Sequence, residues 1–521
     1  MKVSSILLAI GTMTLIPVAP VMGQPMRAAV NQRPTAVDAD AAARRDIAAF
    51  AHRVITELGT APGVAVAVVR KGKPVYSDTF GLATTNPKKP ADAQTLFYLA
   101  SSTKPFTGLA IASLGRKGLV DLDAPISRWL PNSGLPRGIA DTITLRELVS
   151  LQAGVDNDPI TTRLAFTGDH SPALLQRLLA ETTTIAKAPR GTFTYSNGGF
   201  NIATTLIERK LGLSWQRLVE REVLVPAGMR STTPYPSRAI SAGRVLAAGH
   251  VAERGPALQT KLQKSDSLMQ SAGGLYTTAG DLARWLSLQL NDGVIDGRRV
   301  FPAGLVASTH KPLVNFDTKF GPYHRTGYGL GWYTGSERGR PMIHAFGSFV
   351  GNWSHVSFRP DRGVGVAVLV NEEAFGGQVT GLISNYAYDR LAGLADIDAL
   401  YAMQLTEAKA KVTEARAQAS NEMARRAARP WMLTLPRGAY AGAYVNPSFG
   451  TIQVANRPQG LVISFGLLSA IAEPYTKPDA VRVAFTPSQA SVVTFKAGKG
   501  GAIDELTYGD ISFRRVREVR R

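Results

Sequence analysis

Two stretches that can only be satisfied inside a sheet stand far apart in this chain. Gly63-Val64-Ala65-Val66-Ala67-Val68-Val69 is an unbroken apolar run of small and β-branched residues, followed by Arg70, Lys71-Gly72-Lys73-Pro74 and Val75-Tyr76-Ser77-Asp78. Such a run reads as a strand covered on both faces, and residues 71–78 read as a turn and a return strand. A second hairpin is expected where residues 353–359 and 363–370 flank Pro360-Asp361-Arg362-Gly363, with Pro and Gly at positions a tight turn favours. Between the hairpins the period changes to that of helices, over 106–117, 145–151, 171–181, 200–211 and 280–290. Strands at both ends of a helical region predict a single α+β domain whose sheet closes late in the chain.

The flanks have their own character. Met1-Lys2 precedes an uncharged stretch containing Ile6-Leu7-Leu8-Ala9-Ile10 and Leu15-Ile16, which predicts a signal peptide at 1–23 cut ahead of Gln24. Pro17, Pro20 and Pro25 argue against a persistent membrane anchor, so a periplasmic or secreted bacterial protein is expected. Residues 24–45 read as a linker, and 46–395 as the main domain, opening on Ile47, Phe50, Val54 and Leu58 at helical spacing. From 396 to 430 the composition shifts to Ala, Glu, Lys, Arg and Gln, the mark of a helical connector. Residues 431–521 then carry short strand patterns at 440–444, 450–454, 461–465, 480–485, 491–495 and 511–516, which predict a small all-β barrel or sandwich.

The absence of cysteine removes thiol nucleophiles, disulfides and thiolate metal sites, so any nucleophile is an oxygen or an amine. The seven histidines form no H-E-x-x-H and no tight cluster with carboxylates, and no phosphate-binding fingerprint follows a strand. Neither a metal nor another cofactor is therefore expected. The net charge of +20 is spread along the chain, and its densest run, Phe513 to Arg521, alternates basic and apolar residues like a half-buried strand. No nucleic-acid partner is expected from it.

Ser101-Ser102-Thr103-Lys104 lies where the extended segment Leu96-Phe97-Tyr98-Leu99-Ala100 gives way to a helical pattern. Residues three apart share a helix face, so a lysine amine can reach the serine hydroxyl, and burial would lower its pKa toward that of a usable base. Taken alone, Ser101 would be an N-cap, and Ser308-Thr309-His310-Lys311 repeats the spacing with Pro312 following it, which leaves that copy no helix. Tyr195-Ser196-Asn197 adds what the second copy lacks. It sits in a Gly-flanked loop before a helical pattern, and supplies a phenol as a second proton acceptor and an amide to orient the lysine and a substrate carbonyl. Tyr444-Val445-Asn446 has the same spacing but reads as a strand running into a turn.

With these motifs on residues 46–395, the chain resembles the serine β-lactamase-like family of class C β-lactamases, penicillin-binding DD-peptidases, D-aminopeptidases and related esterases. The resemblance extends to Gly118-Leu119-Val120-Asp121-Leu122-Asp123-Ala124-Pro125, Ile143-Thr144-Leu145-Arg146-Glu147-Leu148, Ala272-Gly273-Gly274-Leu275-Tyr276-Thr277-Thr278 and Asp361-Arg362-Gly363-Val364-Gly365-Val366. It implies an antiparallel sheet flanked by helices of the β-lactamase/transpeptidase kind. It also implies Ser101 as the acylated nucleophile, Lys104 as its general base, Tyr195 as a proton shuttle and Asn197 as the orienting group. The tail, with Tyr440-Ala441-Gly442-Ala443-Tyr444 and Asn446-Pro447-Ser448-Phe449-Gly450, resembles the small lipocalin-like barrel fused to some of these hydrolases.

Two departures qualify the resemblance. The family's third motif is Lys or His, a small residue, then Gly, whereas Ile343-His344-Ala345-Phe346-Gly347-Ser348 has one residue too many. Either His344 reaches the site through a bulge, or Gly347 and Ser348 keep the backbone role, the N–H near Ser348 pairing with that of Ser101 as an oxyanion hole, and the cation is absent. Leu151-Gln152-Ala153-Gly154 stands where relatives carry His-Thr-Ser-Gly. The expectation is an exported serine hydrolase acting through an acyl-enzyme on ester, amide or D-amino-acid peptide bonds of a small-molecule or peptide substrate. The alternatives are a β-lactamase or DD-carboxypeptidase, and a non-catalytic binder of cell-wall peptide or ligand on the same fold.

Overall fold

The computed structural model describes residues 36–486 and 489–516, so the signal peptide expected at 1–23 lies outside them. Nine antiparallel strands form the central sheet in the order Val314–Phe320, Tyr323–Tyr328, Tyr333–Glu337, Arg340–Ser348, Trp353–Arg359, Val364–Val370, Gly63–Arg70, Lys73–Thr85, Lys88–Pro90. The two expected hairpins meet at its middle, where Val64 faces Val370 and Arg70 faces Val364. The first turn is Lys71-Gly72, both residues with positive φ, which suits the twist of a two-residue hairpin.

Alternation along Gly63–Arg70 divides the protein into two cores. Val64, Val66 and Val68 pack with helices Ala36–Leu58 and Gly376–Leu391, while Ala65, Ala67 and Val69 join the core shared with helices Lys104–Arg116 and Ala279–Leu290. The apolar run is thus buried on both faces, and each valine taken from water contributes about 1.5–3 kcal/mol. The Ser101-to-Lys104 turn lies on the side of the second core, against the interior strands Arg340–Ser348 and Trp353–Arg359.

Two expected boundaries move. The first helix begins at Ala36, so 36–45 is helix and not linker, with Ala43 buried alongside Ile47 and Phe50. The connector is one helix, Ile397–Ala427, whose first half belongs to the core through Ile397, Tyr401, Leu405, Ala408 and Val412. These residues fall on one face at helical spacing. Beyond Val412 none of the helix's residues is buried, and that half is the true spacer.

The C-terminal sheet also has nine strands, including Leu468–Ile471, Glu473–Pro474 and Ile503–Tyr508, which the six strand patterns in the sequence do not cover. Its two edge strands, Leu468–Ile471 and Glu473–Pro474, are separated in sequence by Ala472 alone, so the sheet curls almost closed around Tyr444, Phe465, Phe495 and Phe513. The barrel sits on a π-helical turn of the first domain, Arg163–Thr167, which presents Ala165 and Phe166 to the barrel core. Arg163 Nε donates to Ser448 O at 2.6 Å and Leu467 N to Thr167 O at 3.0 Å. Phe166 also packs on Phe349, ring centres 5.4 Å apart. Phe166→Ala is expected to cost about 3–5 kcal/mol, as for other buried aromatics. In calorimetry the barrel transition then moves to lower temperature than that of the main domain; a uniform shift of a single transition would show that Phe166 is not the docking residue.

Candidate active site

A tight turn presents Ser101, the candidate nucleophile. Ala100–Thr103 is 3₁₀ and runs into helix Lys104–Arg116, with Pro105 in the first turn where its missing N–H costs nothing. Residues i and i+3 eclipse in a 3₁₀ turn, which places the Lys104 amine against the Ser101 hydroxyl. Ala100 has φ +46°, a left-handed conformation that a non-glycine residue adopts only where its surroundings impose it. Two buried serines impose it here: Ser102 Oγ donates to Ala345 O at 3.0 Å, and Ser354 Oγ donates to Leu99 O at 2.6 Å, tying the turn to the neighbouring strands. Ser101 itself is partly exposed and caps no helix.

Lys104 is 1% exposed and makes no ion pair in the described chain. Its Nζ lies 3.0 Å from Ser101 Oγ, 2.8 Å from Tyr195 OH, 2.8 Å from Asn197 Oδ1 and 3.0 Å from Ala272 O. Burial holds its pKa well below the usual lysine range. In the neutral amine two hydrogens serve the two carbonyl acceptors, Asn197 and Ala272, and the lone pair is left toward the hydroxyls of Ser101 and Tyr195. Tyr195 OH donates to Ser101 Oγ at 2.8 Å, and burial pushes its pKa up to about 12, against the opposing effects of Ser101 and Arg325. Near neutral pH the phenol therefore keeps its proton, and Lys104 is the group able to accept one.

The Tyr195 loop is held from behind. Ser196 Oγ donates to Asp156 Oδ2 at 2.9 Å and accepts from Gly198 N at 2.8 Å, while Thr194 N donates to Leu151 O at 2.9 Å. The Leu151-Gln152-Ala153-Gly154 departure thus leaves main-chain support of this loop in place, and Gln152 Nε2 adds a bond to Leu313 O at 3.1 Å.

Of the expected third-motif residues, Gly347 meets the Ser101 turn most closely. A Cβ there would overlap Leu99 O and lie 2.6 Å from Ser354 Oγ and 2.7 Å from Ser101 N. Ser348 follows it on the same strand, its Oγ 3.4 Å from Glu373 Oε1. His344 is not brought to the cluster. Strand Arg340–Ser348 pairs with both neighbours without a bulge, so His344 shares the face of Met342 and Phe346, while Ala345 and Gly347 face the Ser101 turn. The imidazole is fully buried and stacks on Phe346 and Tyr333, with Nε2 accepting from Arg325 Nε at 3.0 Å. Burial and the charge of Arg325 hold it neutral.

The decoys separate cleanly. Ser308 does lie on a helix, Leu305–His310, contrary to the expectation from Pro312, but that helix ends before Lys311 and Ser308 Oγ bonds back to Leu305 O at 2.6 Å. Tyr444 OH bonds Tyr440 O at 2.8 Å inside the barrel. No group of three or more metal-ligating side chains is gathered among the described residues.

Residues 51–386 match the family described as Beta-lactamase. The chain belongs to the beta-lactamase family. Protein flp of Staphylococcus aureus is 26% identical over 323 residues, covering 60% of each chain, and penicillin-binding protein 4* of Bacillus subtilis is 26% identical over 292 residues, covering 53% of this chain and 61% of its own. The alignments thus span about 60% of the length of these relatives. The octameric penicillin-binding protein homologue from Pyrococcus abyssi superposes with a TM-score of 0.56 at 18% identity over 90% of this chain and 99% of its own; SurE does so at 0.54 and 20% over 92% and 100%. At these identities the structural likeness establishes the fold, a β-lactamase-like domain with a nearly closed C-terminal barrel.

Proposed function

We propose that this family member is an exported serine hydrolase that works through an acyl-enzyme on ester, amide or D-amino-acid peptide bonds. The observation that carries the reading is the Lys104 amine, buried without a counter-ion among the described residues and directed at Ser101 and Tyr195 by two carbonyls. Lys104 takes the Ser101 proton as Oγ attacks the substrate carbonyl, and the positive end of helix Lys104–Arg116 favours the charge that develops there. The tetrahedral oxyanion is received by the backbone N–H groups of Ser101 and Ser348, whose strand approaches through Gly347. Tyr195 passes its proton to the leaving group and recovers one from Lys104, and Asn197 keeps the amine aligned. Deacylation repeats the sequence with water. SurE, which shares the fold, has been solved with D-Leu, and that supports including D-amino-acid substrates among those tested. The N-terminal sequence pattern at 1–23 supports export.

The test is mass spectrometry of the protein after exposure to a fluorophosphonate and, separately, to a penicillin. A fluorophosphonate adduct on the Ser101 peptide is expected, falling by about 10²-fold or more in rate in Lys104→Ala, the size of a lost general base. A penicillin adduct at the same serine would move the substrate class toward β-lactams. A folded wild type that gives no adduct with either reagent overturns the hydrolase reading in favour of a ligand-binding protein.

A further inference from the structure

Two carbonyls orient the Lys104 amine, and they reach it by different routes. Asn197 Oδ1 comes from the residue that opens helix Gly198–Leu211, whereas Ala272 O belongs to the main chain of a turn, Gln270-Ser271-Ala272-Gly273-Gly274. A main-chain carbonyl outside regular structure keeps its direction only as far as the peptide units around it are fixed. Gln270 shapes this turn from within: its Oε1 accepts from Ala272 N at 2.8 Å, and its carbonyl O from Gly273 N at 3.0 Å. These bonds hold the turn to itself. They do not tie it to the helices that carry Lys104 and follow Asn197.

Ser271 makes that connection, with one bond to each helix. Its carbonyl accepts from Thr107 Oγ1 at 2.7 Å, and Thr107 lies one turn along helix Lys104–Arg116 from Lys104 itself. Its hydroxyl donates to Asn201 Oδ1 at 3.0 Å, and Asn201 N donates to the carbonyl of Asn197 at 3.1 Å, one turn back along the second helix. Thr107 Oγ1 is completed by Trp215 Nε1 at 2.9 Å, and Thr204 Oγ1 lies 3.0 Å from Ser271 Oγ. Thr107 and Asn201 are fully buried and Ser271 is 1% exposed. Buried hydrogen bonds add little net stability over apolar packing of the same shape, but a satisfied network admits one arrangement. The residue placed by this arrangement is the next one, Ala272, whose carbonyl is bonded to the Lys104 amine.

We propose that Ser271 is a positioning residue for the base: it locks the Ala272 carbonyl in register with the helices of Lys104 and Asn197, so that the amine lone pair stays on Ser101. It acts through Ala272 O and not on the reacting atoms, and its role rests on the serine-hydrolase reading of the same cluster. An ammonium group donates to a carbonyl more strongly than a neutral amine does, so a displaced Ala272 O costs the protonated form more. Ser271→Ala is therefore expected to lower the Lys104 pKa further, moving the pH rise of acylation to lower pH, and to drop its plateau by about 10–100-fold, the cost of a misplaced group. Of the side chains bonded to the amine, Tyr195 is the other that titrates, and its phenol, pushed up to about 12, stays protonated over this range.

Fluorophosphonate labelling of Ser101 against pH in the full chain reads the acylation. Carbon NMR of the lysine side chains, with the Lys104 signal assigned by its loss in Lys104→Met, reads the amine without turnover. Thr107→Val removes the bond to Ser271 O, is expected to act in the same direction, and decides the matter if Ser271→Ala does not fold. Thr309→Val is the control, because it removes a buried hydroxyl that bonds Val306 O of its own helix at 2.7 Å, and both readouts should stay at wild-type values. A labelled wild type whose rate and Lys104 pKa are unmoved in Ser271→Ala and Thr107→Val, a pKa that rises in them, or an equal loss in Thr309→Val overturns the positioning role and leaves the hydrolase standing. An unlabelled wild type in which Ser271→Ala still lowers the Lys104 pKa keeps the positioning role and overturns the hydrolase.

Discussion

Lys104→Met is expected to lower kcat/KM toward a small activated ester by about 10³-fold, within the range for loss of a positioned base. Methionine has similar reach and no charge to desolvate, so the fold tolerates it at the cost of two unserved acceptors, Asn197 Oδ1 and Ala272 O, about 1–3 kcal/mol each at most. The pH dependence identifies the group. The neutral amine is the active form, so acylation rises as pH increases through the Lys104 pKa and then levels off. Because burial has lowered that pKa, the plateau is reached well below the ~10.4 of an ordinary lysine. The Tyr195 phenol, with its pKa pushed up to about 12, stays protonated across the plateau and adds no second rise there. Single-turnover acylation measured against pH checks this in wild type and variant: the rise should vanish in Lys104→Met. A wild-type rate that keeps climbing to pH 10 would mean that Lys104 holds its proton and that another group is the base.

Gly347→Ala should be nearly as damaging although it removes no chemical group. A methyl at this position overlaps Leu99 O and meets Ser354 Oγ and Ser101 N at 2.6 and 2.7 Å, so either the strand or the nucleophile turn must withdraw. Neither is a flexible side-chain tip. Displacing one oxyanion donor costs about 10²–10³-fold in kcat, and the forced shift about 1–3 kcal/mol of stability. Gly381→Ala is the control, because a Cβ there meets nothing within 4 Å inside helix Gly376–Leu391, and it should be neutral or stabilising by up to ~1 kcal/mol. Kinetics and thermal melting on the two variants side by side check the contrast. Full activity in Gly347→Ala would show that the oxyanion is held elsewhere.

The structural basis of that contrast also shows what can be read from a linear chain. The spacing of Ser101 and Lys104 is a local matter: one turn of helix brings them together whatever surrounds it, so the pair is visible in the sequence. The apolar run at Gly63–Val69 announces a doubly covered strand for the same reason, since its pattern reports burial directly. Tyr195 and Asn197 are legible as a motif, and their approach to Lys104 at 2.8 Å comes about once the helices pack. The barrel is legible only in outline, because strands such as Ile503–Tyr508 mix charged residues into their alternation and Glu473–Pro474 is too short to carry a pattern.

His344 marks where local reading ends. Successive side chains of a strand face opposite ways, so whether a residue looks toward the nucleophile or away from it turns on a register shift of one. That register is set by pairing with Tyr333 on one side and Ser357 on the other. The hydrogen bond from Arg325 to His344 is further beyond reach, since it joins strands two places apart in the sheet. The sequence by itself thus determined the layered fold and the pairing of Ser101 with Lys104, because these depend on spacing and burial pattern. The tertiary structure decided that Gly347 and not His344 meets the Ser101 turn, because strand register and side-chain packing exist only in the assembled sheet.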